Sequence, residues 1–178
     1  MRSLAAVLPI AVAALLPLTG PAPAALPECP PEAPPEFTCV FIVEDHFVDT
    51  ETCGFEIAID AVGKVLYNAR FSSDGELVGE LFRPSIKVHV TGVESGRTLT
   101  DRDVGLDKAV IAPDGSAEVL STGIHFKVRT GDRDTIFRRI GLQIIHVDAE
   151  GNQTIEVIGG NFQPLEDFEP LACGYLTP

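Results

Sequence analysis

The 178-residue chain has no Trp, one Met and two Tyr, and its 13 basic side chains face 26 acidic ones, a formal net charge of -13. Each shortage excludes something. A chain so short of cations repels phosphate backbones and anionic lipid, so nucleic acid is not an expected partner. Sugar-binding modules stack rings on exposed Trp and Tyr, and only Tyr67 and Tyr175 are available here. The strings G-x-S-x-G, H-E-x-x-H, C-x-x-C and G-x-G-x-x-G and the P-loop are all missing, so no enzyme class is announced by motif. No stretch shows a convincing 3.6-residue period, which argues against amphipathic helices as the main framework.

What is present falls into three parts. Arg2 precedes an apolar run from Leu4 to Leu18, then Thr19-Gly20-Pro21 and the small residues Ala22 and Ala24. That order reads as a signal peptide over residues 1–25 and implies an exported, extracellular protein. Pro9 and Pro17 interrupt the run, leaving it short of the roughly 20 residues a membrane span needs. No later segment replaces it, so no membrane association is expected after cleavage. Leu16-Pro17-Leu18-Thr19-Gly20 matches a cell-wall anchoring string but lies inside the leader. Leu26-Pro27-Glu28-Cys29 resembles a lipoprotein signal but has Glu28 where a small residue is needed.

Residues 26–52 read as a Pro-rich acidic spacer. Pro pairs alternate with Glu28, Glu32 and Glu36, a composition suited to polyproline II and unable to bury a core. A short β-like run, Cys39 to Val43, is followed by Glu44, Asp45, His46, Asp49 and Glu51. These acids lack the fixed ligand spacing of a calcium loop and read as a solvated loop.

Residues 53–178 read as an all-β domain. Period-2 alternation places Ile57 with Ile59, Ile86 with Val88 and Val90, Ile124 with Phe126 and Val128, and Ile140 with Leu142 and Ile144 on shared faces. Asp74-Gly75, Ser95-Gly96, Asp114-Gly115, Gly131-Asp132 and Gly151-Asn152 supply hairpin turns. Eight to ten strands are expected, in an antiparallel β-barrel or barrel-like sheet, with a two-sheet β-sandwich as the alternative.

Four cysteines in an exported chain imply disulfides. Position favours Cys53 with Cys173, locking the ends of the β domain together, and Cys29 with Cys39, clipping the spacer. The first pair would bring the acidic spacer beside Glu166, Asp167 and Glu169, a repulsion that millimolar calcium should relieve.

Cys53-Gly54-Phe55, Asp74-Gly75, Val90-Thr91, Ser95-Gly96-Arg97-Thr98, Pro113-Asp114-Gly115-Ser116, Gly151-Asn152 and Cys173 give the chain its layout. That layout resembles uncharacterised secreted β-rich proteins of high-GC Gram-positive bacteria. Gly92 stands where an Asn is usual, and Cys29 and Cys39 are extra. The resemblance implies class and compartment and brings no activity.

His89 shares a face with Lys87 and Thr91, and His125 with Lys127 and Arg129, so both are expected on a solvated face. His146 is expected in the core or at a strand rim, and Asp148 to Asn152 as a hairpin turn. No catalytic residue, cofactor or metal site is expected. The leading functional expectation is a secreted non-enzymatic binding or structural module with an extracellular or cell-wall partner. The alternative is a small β-barrel enzyme or small-ligand carrier with a polar interior pocket. An inner face that holds His89 or His125 beside carboxylates favours the alternative, as does an interior cavity of roughly 300 Å³ or more.

Overall fold

The computed structural model describes residues 35–178. The expected signal peptide, the first part of the spacer and Cys29 lie outside the described residues. Seven antiparallel strands form one sheet: β1 Glu36–Asp49, β2 Ile57–Phe71, β3 Leu77–Gly92, β4 Thr98–Ile111, β5 Ala117–Thr130, β6 Thr135–Val147 and β7 Gln153–Phe162. They follow one another in the order β1-β2-β3-β4-β5-β6-β7. A short 3-10 turn, Leu165–Asp167, leads into helix α1, Phe168–Leu176.

The all-β class holds. The sheet is not closed into a barrel, since β1 and β7 are its edges, and the strands do not divide into two sheets. Among the described residues there are seven strands rather than eight to ten because β1 to β6 run for 13 to 16 residues, past positions that look like breaks in sequence. Gly63, Gly105, Gly123 and Gly141 all lie within strands.

Gly105 pairs with Gly123, Gly123 with Gly141, and Gly141 with Gly160, a row of glycines crossing four strands. Only bare backbone fits there. A Cβ on Gly123 would stand 2.5 Å from the Gly105 Cα, and one on Gly141 would stand 2.1 Å from the Gly159 carbonyl oxygen. Both residues have φ in the region open to glycine, 126° and 152°. Such a line of kinks is how a long sheet is made to curve. The curvature lets a single sheet bury its own inner face, as at Ala69, Ala109, Ser121 and Ile145.

Four hairpins use one turn, a type I turn followed by a left-handed residue. In the first, Gly75 N donates to Ser72 O and Ser72 N to Glu76 O; the pattern recurs at 112–116, 130–134 and 148–152. The left-handed position holds Gly75, Gly115 and Gly151 in three of them and Arg133, φ 71°, in the fourth.

The boundary at residue 52 does not coincide with the sheet, because β1 occupies 36–49. Phe37, Phe41, Val43 and Phe47 alternate toward the inner face, and Glu44 and His46 take the outer positions between them. The acids that suggest a loop are thus partly outward-facing strand residues. β1 also carries the chain from one end of the sheet to the other, some 40 Å at about 3.3 Å per residue. Glu36 is therefore at the end opposite Cys53, and the proximity of acidic spacer and acidic tail does not arise there.

Cys53 sits in the β1–β2 loop rather than at a strand start, and it is bridged to Cys173 of α1, with Cα atoms 5.3 Å apart. Cys39 of β1 is disulfide-bonded. The helix escaped the periodicity reading because it is only nine residues long and includes Pro170 and Gly174. Ala172 and Leu176, one turn apart, are its buried residues, and they join Ile57, Ile59, Leu99, Phe126, Val128 and Phe137 in the apolar core. Ser95 and Arg97 of the β3–β4 loop donate to the carbonyls of Leu176 and Tyr175, fixing the helix end over that core.

Candidate functional site

Where the apolar core stops, the inner face becomes polar. β4 alternates Asp101, Asp103, Gly105 and Asp107 toward the inside, with Arg102 and Lys108 outside and exposed. Asp101 and Asp107 are buried. The Asp101 carboxylate accepts from Lys127 N at 2.8 Å, and Asp107 accepts from Ser121 Oγ at 2.5 Å. Across the next strand pair Ser121 faces Gln143. On the other side Tyr67 donates to Glu80 at 2.5 Å.

His125 joins this group, contrary to the expectation of a solvated face. The register shifts between Ile124 and Phe126, so His125 is the extra residue of a β-bulge. A bulge breaks the two-residue alternation and re-aims a side chain. The ring lies 5.9 Å from that of Phe162 and senses both Asp107 and Arg139. Arg139 donates to Gln163 O at 2.7 Å and stands 5.2 Å over the Phe162 ring.

Taking these groups from water raises the cost of their charge. Burial pushes the Asp103 carboxyl up to about 7, and the neighbouring charges of Asp107 and Asp101 add to the push. Burial also raises Asp101, Asp107 and Glu80, each partly offset by the hydrogen bonds it accepts. His125 is lowered by burial, with Asp107 opposing and Arg139 assisting. Near neutral pH the site thus combines an acid that exchanges its proton with a His biased to its neutral form, which suits proton exchange or binding of a donor-rich ligand. Two side-chain atoms in this region, His125 Nε2 and Gln143 Oε1, are buried without a hydrogen-bond partner among the described residues. Gln143 is 7% exposed.

The other histidines face outward. His89 accompanies Lys87 and Thr91 on the outer face, within 3.2 Å of Thr100 Oγ1. His46 Nδ1 lies 2.5 Å from Asp60 Oδ1, both side chains largely exposed. His146 is a rim residue between Glu118 and Glu156. Asp49 is occupied in a turn, accepting from Glu51 N, Thr52 N and Thr52 Oγ1. Among the described residues no three His, Cys, Asp or Glu side chains are grouped to hold a metal ion.

Two open clefts, of about 390 Å³ and 590 Å³, both involve the outer face. The inner face reaches solvent at β7, where Ile155 and Val157, opposite Ile145 and Gln143, are each 52% exposed.

Sequence reading missed Asp101, Asp103, Asp107 and Gln143 as a group. Asp101-x-Asp103 at a two-residue spacing inside an apolar alternation was the signal that could have found them. Comparison of the chain with protein-family models, curated proteins and solved structures gives no match. Among the described residues no helix is long and apolar enough to cross a membrane.

Proposed function

We propose that this is a secreted small-ligand carrier, with Asp103, Asp107, His125 and Gln143 on the inner face as its binding groups. The observation that carries the reading is the pair of buried, unpartnered polar atoms, His125 Nε2 and Gln143 Oε1, beside carboxylates. Leaving such groups unpaired costs about 1–3 kcal/mol each, and departures of this kind concentrate at functional positions. The acceptors Gln143 Oε1 and the Asp107 carboxylate suit a small ligand rich in N–H or O–H donors, a primary amine before a carboxylate. In this reading the curved sheet acts as an incomplete barrel wall whose open side, along β7, admits the ligand.

Export and kinship to secreted β-rich proteins of high-GC Gram-positive bacteria belong to the same proposal. The Cys53–Cys173 bridge supports export, and the layout of turns and terminal cysteine supports the kinship. We assign no reaction.

Calorimetric titration with ethanolamine, ethylenediamine and sodium acetate tests the site. Saturable binding of the amines, lost in a Gln143→Leu, Asp107→Asn double variant that still folds, supports it. Absence of saturable binding by either amine overturns it. A second reading, a packed module that binds an extracellular or cell-wall partner on its outer face, is favoured by the positions of the two clefts.

A further inference from the structure

Independently of the inner face, the cleft of about 390 Å³ is bordered by Arg70, Arg83 and Lys108. Three cations from β2, β3 and β4 converge there on a chain whose net charge is -13. None of them makes an ion pair among the described residues, where the ion pairs are all made by histidine. Lack of an ion pair is general for the Lys and Arg among the described residues, so convergence on one cleft is what distinguishes these three.

The backbone is also shaped for one of them. Gly79 is buried, and a Cβ there would stand 3.0 Å from Arg70 Nη2 and 3.5 Å from its Nε. The guanidinium thus lies against bare backbone, which limits the conformations it must give up on binding. Leu66 and Leu81 supply apolar lining, and Glu36 is the one acid of the cleft whose carboxylate is not already engaged, Glu80 being bonded to Tyr67. Three cations against Glu36 and Glu80 leave the cleft net positive, and its two guanidinium forks match the several oxygens of a phosphate better than a single carboxylate.

We infer that this outer-face cleft binds a small phosphate-bearing ligand, with Arg70, Arg83 and Lys108 as the anion-binding groups. A free phosphate ester and a phospholipid headgroup share this chemistry. The remaining negative charge of the protein repels an anionic membrane surface, which favours the soluble ester.

The test is a titration of the full chain with inorganic phosphate and glycerol phosphate, followed by NMR shifts of the Asn68, Leu81 and Lys108 amides, with sodium chloride at matched ionic strength as reference. Saturable shifts are expected, and an Arg83→Gln, Lys108→Gln variant should weaken binding by tenfold or more, about 1.4 kcal/mol at least. Lys64→Gln, an exposed change outside the cleft, should leave it unaltered. Equal response to chloride and phosphate overturns the inference, as does equal binding by the double variant. Sedimentation with phosphatidic acid vesicles in place of binding to soluble phosphate overturns the soluble ligand in favour of a membrane surface.

Discussion

Tyr67 on β2 and Glu80 on β3 are diagonal neighbours across one strand pair, and the tyrosine hydroxyl donates to the glutamate at 2.5 Å. Each holds the other's proton state. Burial and the Glu80 carboxylate raise the tyrosine above its ordinary value, and burial raises the Glu80 carboxyl while the hydroxyl lowers it. Tyr67→Phe should lower stability in urea by about 1–3 kcal/mol, because Glu80 is then buried without its donor. Adding Glu80→Leu to that variant should recover part of the loss. A loss below about 0.5 kcal/mol in the single variant would show that water serves the carboxylate equally well.

The buried acids set the pH dependence. Asp103, raised to about 7, binds a proton in the folded state between roughly pH 4 and 7 that the unfolded chain has released. Its contribution is therefore fully present below the unfolded value of 3.8 and lost as pH rises through 7. Asp101, Asp107 and Glu80 act in the same direction. His125, lowered, opposes them, its contribution growing as pH rises toward 6.5. Asp49, Asp114 and Asp148, all lowered, lose their contribution only in more acidic solution, below 3.8. Thermal melts should place maximum stability near pH 5. Asp103→Asn should raise Tm at pH 8 by about 5 °C and leave it unchanged near pH 4.5. An equal shift at both pH values would count against the assignment.

The glycine row predicts a contrast between two substitutions. Gly115 has φ 88° and open space around its Cβ position, so Gly115→Ala should cost about 1 kcal/mol of backbone strain. Gly141→Ala would drive a methyl group into the Gly159 carbonyl and to 2.7 Å from the Phe162 ring. It should cost about 4 kcal/mol or more, or prevent folding. Circular dichroism and urea melts of the two proteins compare them directly, and similar stabilities would mean that the sheet can relax along the row.

Arg133 offers the reverse case, holding φ 71° where three equivalent turns have glycine. Arg133→Gly should stabilise by up to about 1 kcal/mol, or roughly 3–5 °C in Tm. A lower Tm would indicate that the arginine side chain contributes more than its backbone costs.

The sequence made the strands of β2 to β6 and their turns legible because alternation and Asx-Gly chemistry act locally. Two features hid the rest. A bulge adds one residue without leaving a compositional mark, so the face of His125 could not be read from its neighbours. The inward aspartates of β4 look like surface residues until the sheet's curvature buries them, and curvature depends on glycines aligned across strands, a relation between distant positions. β1 was obscured for a related reason: Glu44, Asp45 and Asp49, distributed over both of its faces, gave the segment the composition of a loop. Helix α1 is too short to establish a period of its own.

The meander has a consequence for the order of assembly. Each strand pairs only with its predecessor and successor, so pairing can advance as the chain is synthesised, every loop closed being short. The apolar core behaves differently, since Leu99, Val128 and Phe137 receive their cover from Ala172 and Leu176. A chain interrupted before α1 would hold a paired sheet with a bare hydrophobic end and an unbridged thiol at Cys53. Joining of that thiol to Cys173, the two electrons passing to an external oxidant, thus works as a completion mark, chemically separating finished molecules from those halted with the sheet already built.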